Sequence, residues 1–221
     1  MGGDDDWRVA GCRPEDIHDD PGSYWDEERI ARFSRAKGQW KLQKRIAERA
    51  IAHFLEEDPK GLQHMTGSPI ALDIGCGTGA SSALLVENGC KTIAIDVIPA
   101  MLEYCFKDRS MVAMRHRGML HALLASATAI PIRKERIDFA FSISALQWLR
   151  SDREKEAFIK DLHSCIHQDG GLAFQFYPRS RESAIKFGMR LKHAGFTGGI
   201  FIDNPRNPKK RKVFFGMIKR K

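Results

Sequence analysis

Asp73-Ile74-Gly75-Cys76-Gly77-Thr78-Gly79 follows a short apolar run and opens an Ala/Ser/Leu segment of helical character. Its glycines let the backbone turn sharply and let a ligand approach without meeting a Cβ, and the helix beyond presents unpaired N–H groups. The spacing is GxGxG, not the GxGxxG of nicotinamide and flavin sites, and an acid stands two residues before the first glycine. A carboxylate there repels a pyrophosphate but suits a ligand with an ammonium group and no phosphate. S-adenosylmethionine (SAM) is such a ligand, so Asp73, Gly75, Cys76, Gly77 and Gly79 form the expected core of its site.

A second acid lies downstream. Asp96 closes the next strand-like run, where a carboxylate accepts both ribose hydroxyls, and Val97-Ile98-Pro99-Ala100-Met101 offers apolar atoms to an adenine. The competing reading is that Asp73 and Asp96 merely cap the elements that follow them.

Around this turn strands and helices alternate. Pro69–Ile74, Lys91–Asp96, Asp138–Ile143 and Gly171–Phe176 read as strands; Ala80–Asn88, Pro99–Lys107 and Arg153–Ile166 read as helices. Such alternation requires crossover connections and gives a parallel sheet covered on both faces. Upstream, Ile30, Phe33, Leu42, Ile46, Ala50 and Phe54 predict one amphipathic helix from Asp26 to Leu55, ended by Pro59 and Gly61. Residues 1–25 form an irregular arm, and 26–221 one domain. Met111–Ile130 resists parsing, with Leu120–Ala125 as its strand or short helix. At the end, Gly199–Asp203 and Lys212–Ile218 are joined without a helix and should pair antiparallel. The expectation is a Rossmann-like, seven-stranded, mostly parallel sheet with an antiparallel last strand and helices on both faces, the architecture of class I methyltransferases.

The chain has 221 residues, enough for one continuous core, and a formal net charge of +8. Eight bases and no acid fall between Arg206 and Lys221, so the first 205 residues sum to zero and the basicity reads as terminal. No apolar stretch is long enough to span a bilayer, and the acidic start lacks a secretory h-region. Met1-Gly2-Gly3 formally permits myristoylation, but Asp4, Asp5 and Asp6 would oppose an anionic membrane. Five cysteines without CxxC or zinc-site spacing suggest reduced intracellular thiols and no metal.

Ser142 through Leu149 leaves the fourth strand and Gln175-Phe176-Tyr177-Pro178 the fifth, both at carboxyl ends, where open α/β sheets bind ligands. Trp148 and Tyr177 are candidates to stack on a base, with Gln147 reading its edge; Trp148 serves equally as core packing. There is no catalytic triad or paired carboxylate, which suits an acceptor that is already nucleophilic.

The chain resembles the eukaryotic 18S rRNA (guanine-N7) methyltransferases of small-subunit maturation. The likeness covers nearly all of it and rests on Arg13 through Asp19, Asp73 through Gly79, Asp96 with Pro99-Ala100-Met101-Leu102, Ser142 through Leu149, Tyr177-Pro178, and Ala194 through Gly199. The resemblance implies SAM as methyl donor and a guanine of 18S rRNA in the pre-40S particle as acceptor. It also implies a nuclear or nucleolar setting, with the cytoplasm as a further one, and a heterodimer with a small zinc-binding activator subunit, any zinc belonging to that partner. Trp148, Tyr177 and Pro178 become the expected catalytic group. Arg35 is expected either to reach the methionine carboxylate or to stand as an exposed helix arginine, and Val97, Ser126 and Ser142 complete the cofactor set. Two departures stand out. Family members usually carry an adenine-binding aspartate where Ala125 and Ser126 precede Ile130-Pro131-Ile132, and the long basic C-terminal extension of the family is missing.

Because the sixth strand should run parallel to the first five, the loop after it should rise beside the crevice. Arg206, Lys209, Lys210, Arg211 and Lys212 then form an expected RNA-phosphate rim, or simply a solvated hairpin tip. A small-molecule methyltransferase and a pre-rRNA-binding assembly scaffold without strong catalysis are the competing functions.

Overall fold

The strands of the central sheet are apolar on both sides, so the sheet must be covered twice. The computed structural model describes residues 13–57 and 68–220. Seven strands, β1 (Ile70–Ile74), β2 (Lys91–Asp96), β3 (Leu120–Leu124), β4 (Ile137–Ile143), β5 (Ile166–Phe176), β6 (Phe196–Asp203) and β7 (Lys212–Lys219), stand in the order β3-β2-β1-β4-β5-β7-β6. Strands β1 to β5 pair in parallel, and β7 runs antiparallel to both β5 and β6. The expected architecture is borne out.

One face of the sheet buries Leu72, Ile74, Phe174 and Phe215 with Phe158, Leu162, Phe187 and Leu191, from α8 (Asp152–Cys165) and α9 (Arg181–His193). The other buries Ala71, Phe139, Phe141 and Phe214 against Ile46, Ala50 and Phe54 of α4 (Lys37–Glu57) and Leu84 and Leu85 of α5 (Ala80–Glu87). Phe54 comes so close that a Cβ at Gly171 would overlap its ring. Glycine at that strand position is what lets α4 settle on the sheet.

The long helix expected from Asp26 to Leu55 is two helices, α3 (Glu27–Arg35) and α4, separated at Ala36, whose ψ of 89° is not helical. Their apolar stripes have different partners. Ile30 of α3 packs on Ile98 and Met101, by and within α6 (Pro99–Cys105), while α4 packs on the sheet. One straight helix could not meet both, and Leu42 of the expected stripe is exposed. Pro59 and Gly61 lie outside the described residues. The arm is less irregular than expected: α1 (Pro14–Ile17) and α2 (Pro21–Tyr24) are single turns, the second capped by Asp20 accepting from the Ser23 amide.

In the unparsed segment, α7 (Arg109–His116) is capped by Asp108 and leads into β3, a half-buried edge strand. Helix α9 was also unassigned in the sequence, although Ala184, Phe187 and Leu191 lie on one helical stripe. A capping box starts α8, with the Ser151 hydroxyl accepting from the Glu154 amide and the Glu154 carboxylate accepting from the Ser151 amide. Ser151→Ala is expected to cost about 1 kcal/mol, read as a fall in Tm of about 2–4 °C.

Candidate functional site

Parallel strand order reverses between β1 and β4, and the turn after β1 opens at that switch point on the carboxyl edge. Gly75, Gly77 and Gly79 have φ of 69°, 55° and 93°, left-handed values that favour glycine. The amides of Gly75 and Cys76 donate to the Ile95 carbonyl, which fixes the turn over β2. Asp96 is 8% exposed. Its Oδ2 accepts from the Gly77 amide at 2.8 Å and its Oδ1 from the Ile98 amide at 2.9 Å. Burial pushes this carboxyl above the usual range, and these backbone donors oppose the shift.

A cavity of about 270 Å³ opens above the turn. Gly75, Cys76, Gly77, Asp96, Val97, Ser126 and Trp148 of the expected set line it. A Cβ at Gly77 would meet nothing within 4 Å, so that glycine faces open space. Ser126 Oγ stands 2.9 Å from Thr128 Oγ1 and accepts from the Thr128 amide, so a neutral hydroxyl pair occupies the wall where the resembled family carries an acid.

Other expected residues lie elsewhere. Asp73 is fully buried below the turn; Ser81 and Ser82 Oγ donate to its Oδ2 at 2.7 and 2.6 Å, and Oδ1 has no hydrogen-bond partner among the described residues. Gly79 sits beneath the turn, where a Cβ would crowd Cys105 and Met111. Ser142 is buried and donates to the Ile74 carbonyl, locking β4 to β1 without lining the cavity. Arg35 is exposed and does not line it, which is the arrangement of a surface helix arginine. Tyr177 and Pro178 are also off the wall. Their carbonyls accept from Arg13 at 2.9 and 3.2 Å, and Lys212 Nζ lies 5.3 Å from the Tyr177 ring centroid.

The loop from β6 to β7 does rise on the carboxyl edge, with Arg206, Lys209 and Lys210 exposed. Arg211 departs from the expected rim: it is 8% exposed and its guanidinium donates to the Pro205 carbonyl, holding the loop together. Lys212 is half-buried.

The outer wall was not anticipated. Pro21, Trp25, Phe33 and Gln43 close the cavity from the arm, α3 and α4. The arm is tied down by Arg13, by Arg150 to Asp19 at 2.7 Å and by Arg179 to Asp16 at 3.0 Å, and Tyr24 packs against Trp148 with ring centroids 6.2 Å apart. Aromatics in the arm were a signal available in the sequence; Gln43, on an exposed-looking turn, gave none.

These residues fit SAM. Gly77 leaves room for a ligand, Asp96 borders the cavity, and the unpartnered Oδ1 of Asp73 puts an uncompensated anionic site beneath it. Burial pushes Asp73 up to about 6, against the opposing pull of the Ser82 and Ser81 hydrogen bonds. A bound ammonium or sulfonium favours the ionised carboxylate, so SAM affinity should fall as pH drops through 6. We expect about a tenfold loss between pH 7.5 and 5, measured by calorimetry and absent in Asp73→Asn. For the empty fold the sign is opposite. With its pKa raised above the unfolded value, this carboxyl stabilises most below about pH 4 and its contribution is gone above 6.

Among the described residues no helix is long and apolar enough to cross a membrane, and no group of His, Cys, Asp and Glu could hold a metal ion. A family model described as "Methyltransferase domain" matches residues 72–174. Curated relatives include the 18S rRNA (guanine-N(7))-methyltransferase of Bos taurus, 28% identical over 214 residues covering 92% of this chain and 70% of the relative. The corresponding Arabidopsis thaliana protein is 32% identical over 205 residues, 88% of this chain and 65% of the relative. Among solved structures, magnesium protoporphyrin IX methyltransferase of Synechocystis with bound SAM has a TM-score of 0.68 at 13% identity, covering 96% of this chain and 100% of that one. An N-methyltransferase of Bradyrhizobium japonicum in complex with S-adenosylhomocysteine has a TM-score of 0.67 at 13% identity, covering 88% and 98%. The fold is that of class I methyltransferases.

Proposed function

We propose that the chain is a member of the 18S rRNA (guanine-N7)-methyltransferases to which its curated relatives belong, and that it methylates N7 of a guanine in small-subunit rRNA, with SAM as donor. The observation that carries the reading is the open face of Gly77 beside Asp96, a wall built for a ligand that needs ribose acceptors and no phosphate clamp. When bound, SAM supplies a methyl group already activated on sulfur.

What the chain supplies is alignment. The titratable side chains on the wall are Cys76, Asp96 and Glu154. Burial keeps Cys76 a neutral thiol, Asp96 accepts two backbone amides, and Glu154 accepts the amides of Ser151 and Arg150. Each carboxylate thus has structural work, and guanine N7 offers a lone pair that requires no proton removal. Trp148, backed by Tyr24, provides an aromatic surface on which a base can stack, and Arg206, Lys209 and Lys210 offer phosphate contacts from the neighbouring loop. Tyr177 and Pro178 contribute through Arg13, by holding the arm that closes the wall.

The activator subunit implied by the family fits the free edge of the sheet. On β3, Leu123 and Leu124 are 39% and 61% exposed, and among the described residues one side of the strand has no partner strand. This reading places the protein in the nucleus or nucleolus, where pre-40S rRNA is processed. The test is to map N7-methylguanosine in the rRNA of cells lacking the protein. Loss of one site, restored by the unmodified chain and not by an Asp96 variant, is expected; unchanged methylation would sink the assignment.

A further inference from the structure

The zero charge of the first 205 residues conceals a separation. Residues 1–28 hold ten acids and two bases, whereas residues 29–221 hold 18 acids and 34 bases. The arm carries Asp16 and Asp19 to the carboxyl edge, where they pair with Arg179 and Arg150. The excess of bases must therefore show elsewhere on the surface.

Much of it is at the opposite edge of the sheet, where the parallel strands begin. Lys91 is the first residue of β2, and Arg115 and Arg117 end α7 just before β3. Arg133, Lys134 and Arg136 precede β4 and are held at the end of α8, where the Glu135 and Arg136 amides donate to the Ser164 and Cys165 carbonyls. The register aligns these starts: Lys91 pairs with Ile70, Thr92 with Leu120, and Ala71 with Phe139. From β3 to β4 there are three strand spacings, about 14 Å. All six cations are exposed, and none makes an ion pair with a described residue. The carboxylates nearby are mostly engaged: Asp138 accepts from the Ile70 amide, Glu87 holds Lys44 and Asp169 holds Arg220, leaving Glu135.

We propose that this amino edge is a second RNA-binding surface, which grips phosphodiester backbone on the side of the molecule away from the cofactor cavity. The proposal rests on the rRNA-methyltransferase reading and deepens it: the substrate is a folded RNA large enough to reach both edges, not a short oligonucleotide seated at the cavity alone. A phosphate lattice matches a row of arginines and lysines that lack carboxylate partners and span about 14 Å of sheet edge, Arg115 also lying over the Phe106 ring. A protein partner matches it poorly, because interface cores are depleted in lysine and built on apolar anchors. None of the exposed large hydrophobic residues, such as Ile17, Leu42, Val97, Leu124 and Met189, belongs to this edge set.

The test compares two triple charge reversals of the full chain, Arg133→Glu/Lys134→Glu/Arg136→Glu on the amino edge and Arg206→Glu/Lys209→Glu/Lys210→Glu on the loop. The probe is a small-subunit rRNA transcript, titrated at several salt concentrations. The amino-edge variant should lose at least about tenfold in affinity at 0.1 M salt, and its slope of log affinity against log salt should shrink by roughly 2–3, with SAM affinity unchanged. If that variant loses SAM binding or stability, the corresponding triple glutamine variant is read instead, with about half the slope change expected. Unchanged affinity and slope, with a clear effect of the loop variant, would overturn the proposal. A transcript affinity that depends on the amino edge, in a chain that methylates no rRNA, would retain this surface and reject the enzymatic reading.

Discussion

Asp96→Ala should lower SAM affinity by at least about a hundredfold and cost stability as well. Each hydrogen bond from a ribose hydroxyl to a carboxylate is worth about 1.5–3 kcal/mol, and two of them correspond to a hundredfold or more. The empty protein suffers too, because the carboxylate accepts the amides of Gly77 and Ile98. Removing it leaves two donors at a buried site, each at a cost of about 1–3 kcal/mol. Asp96→Asn should fall between, since one amide oxygen can still accept while its NH2 meets a backbone donor. Calorimetry with SAM and a thermal melt separate the two effects. Alanine at 96 with affinity within tenfold of the unmodified chain would exclude this residue from the cofactor site.

A pair of glycine substitutions should divide folding from binding. Gly77 has a φ of 55° and open space where its Cβ would be, so Gly77→Leu pays about 1–2 kcal/mol for the left-handed conformation and puts its side chain into the cavity. We expect a Tm lower by roughly 2–8 °C and SAM affinity reduced more than a hundredfold. Gly75, two residues away with a φ of 69°, has the methyl of Ala145 where its Cβ would sit. Gly75→Ala therefore combines the backbone cost with an overlap against a fixed neighbour and should destabilise by about 3 kcal/mol or more. Gly77→Leu that binds SAM normally, or Gly75→Ala that melts unchanged, would contradict the geometry of the turn.

The sheet was legible because its signals are local. The run of Ile70 to Ile74 and the glycines after it specify a buried strand and a tight turn whatever the rest of the chain does, and Asp96 follows from the same unit. What escaped depends on which neighbour an element meets. Ile30 and Ile46 share a periodicity along the sequence, yet one packs on α6 and the other on the sheet, and periodicity alone does not reveal the break at Ala36. Arg211 and Lys210 are adjacent and chemically alike, but only the former is turned inward to the Pro205 carbonyl. Ser142 lies at the right end of the right strand, and the alternation of strand side chains directs it to the Ile74 carbonyl. The acidic arm could have been noticed by counting charges in windows; its position over the carboxyl edge could not.

The arm also sets an order of events in synthesis. The guanidinium of Arg13 meets the carbonyl of Tyr177, 164 residues further on, and the cavity takes Pro21 and Trp25 from one end of this span and Trp148 from near the other. A ribosome must deliver β5 before Arg13 meets its carbonyl partners at Tyr177 and Pro178, and the entropy of so long a loop opposes an earlier encounter. The glycine turn and Asp96 can be assembled before β5 exists, but the arm over the pocket gains its Arg13 anchor only once β5 and Tyr177 have been made, so tight cofactor capture reports that synthesis has passed that point.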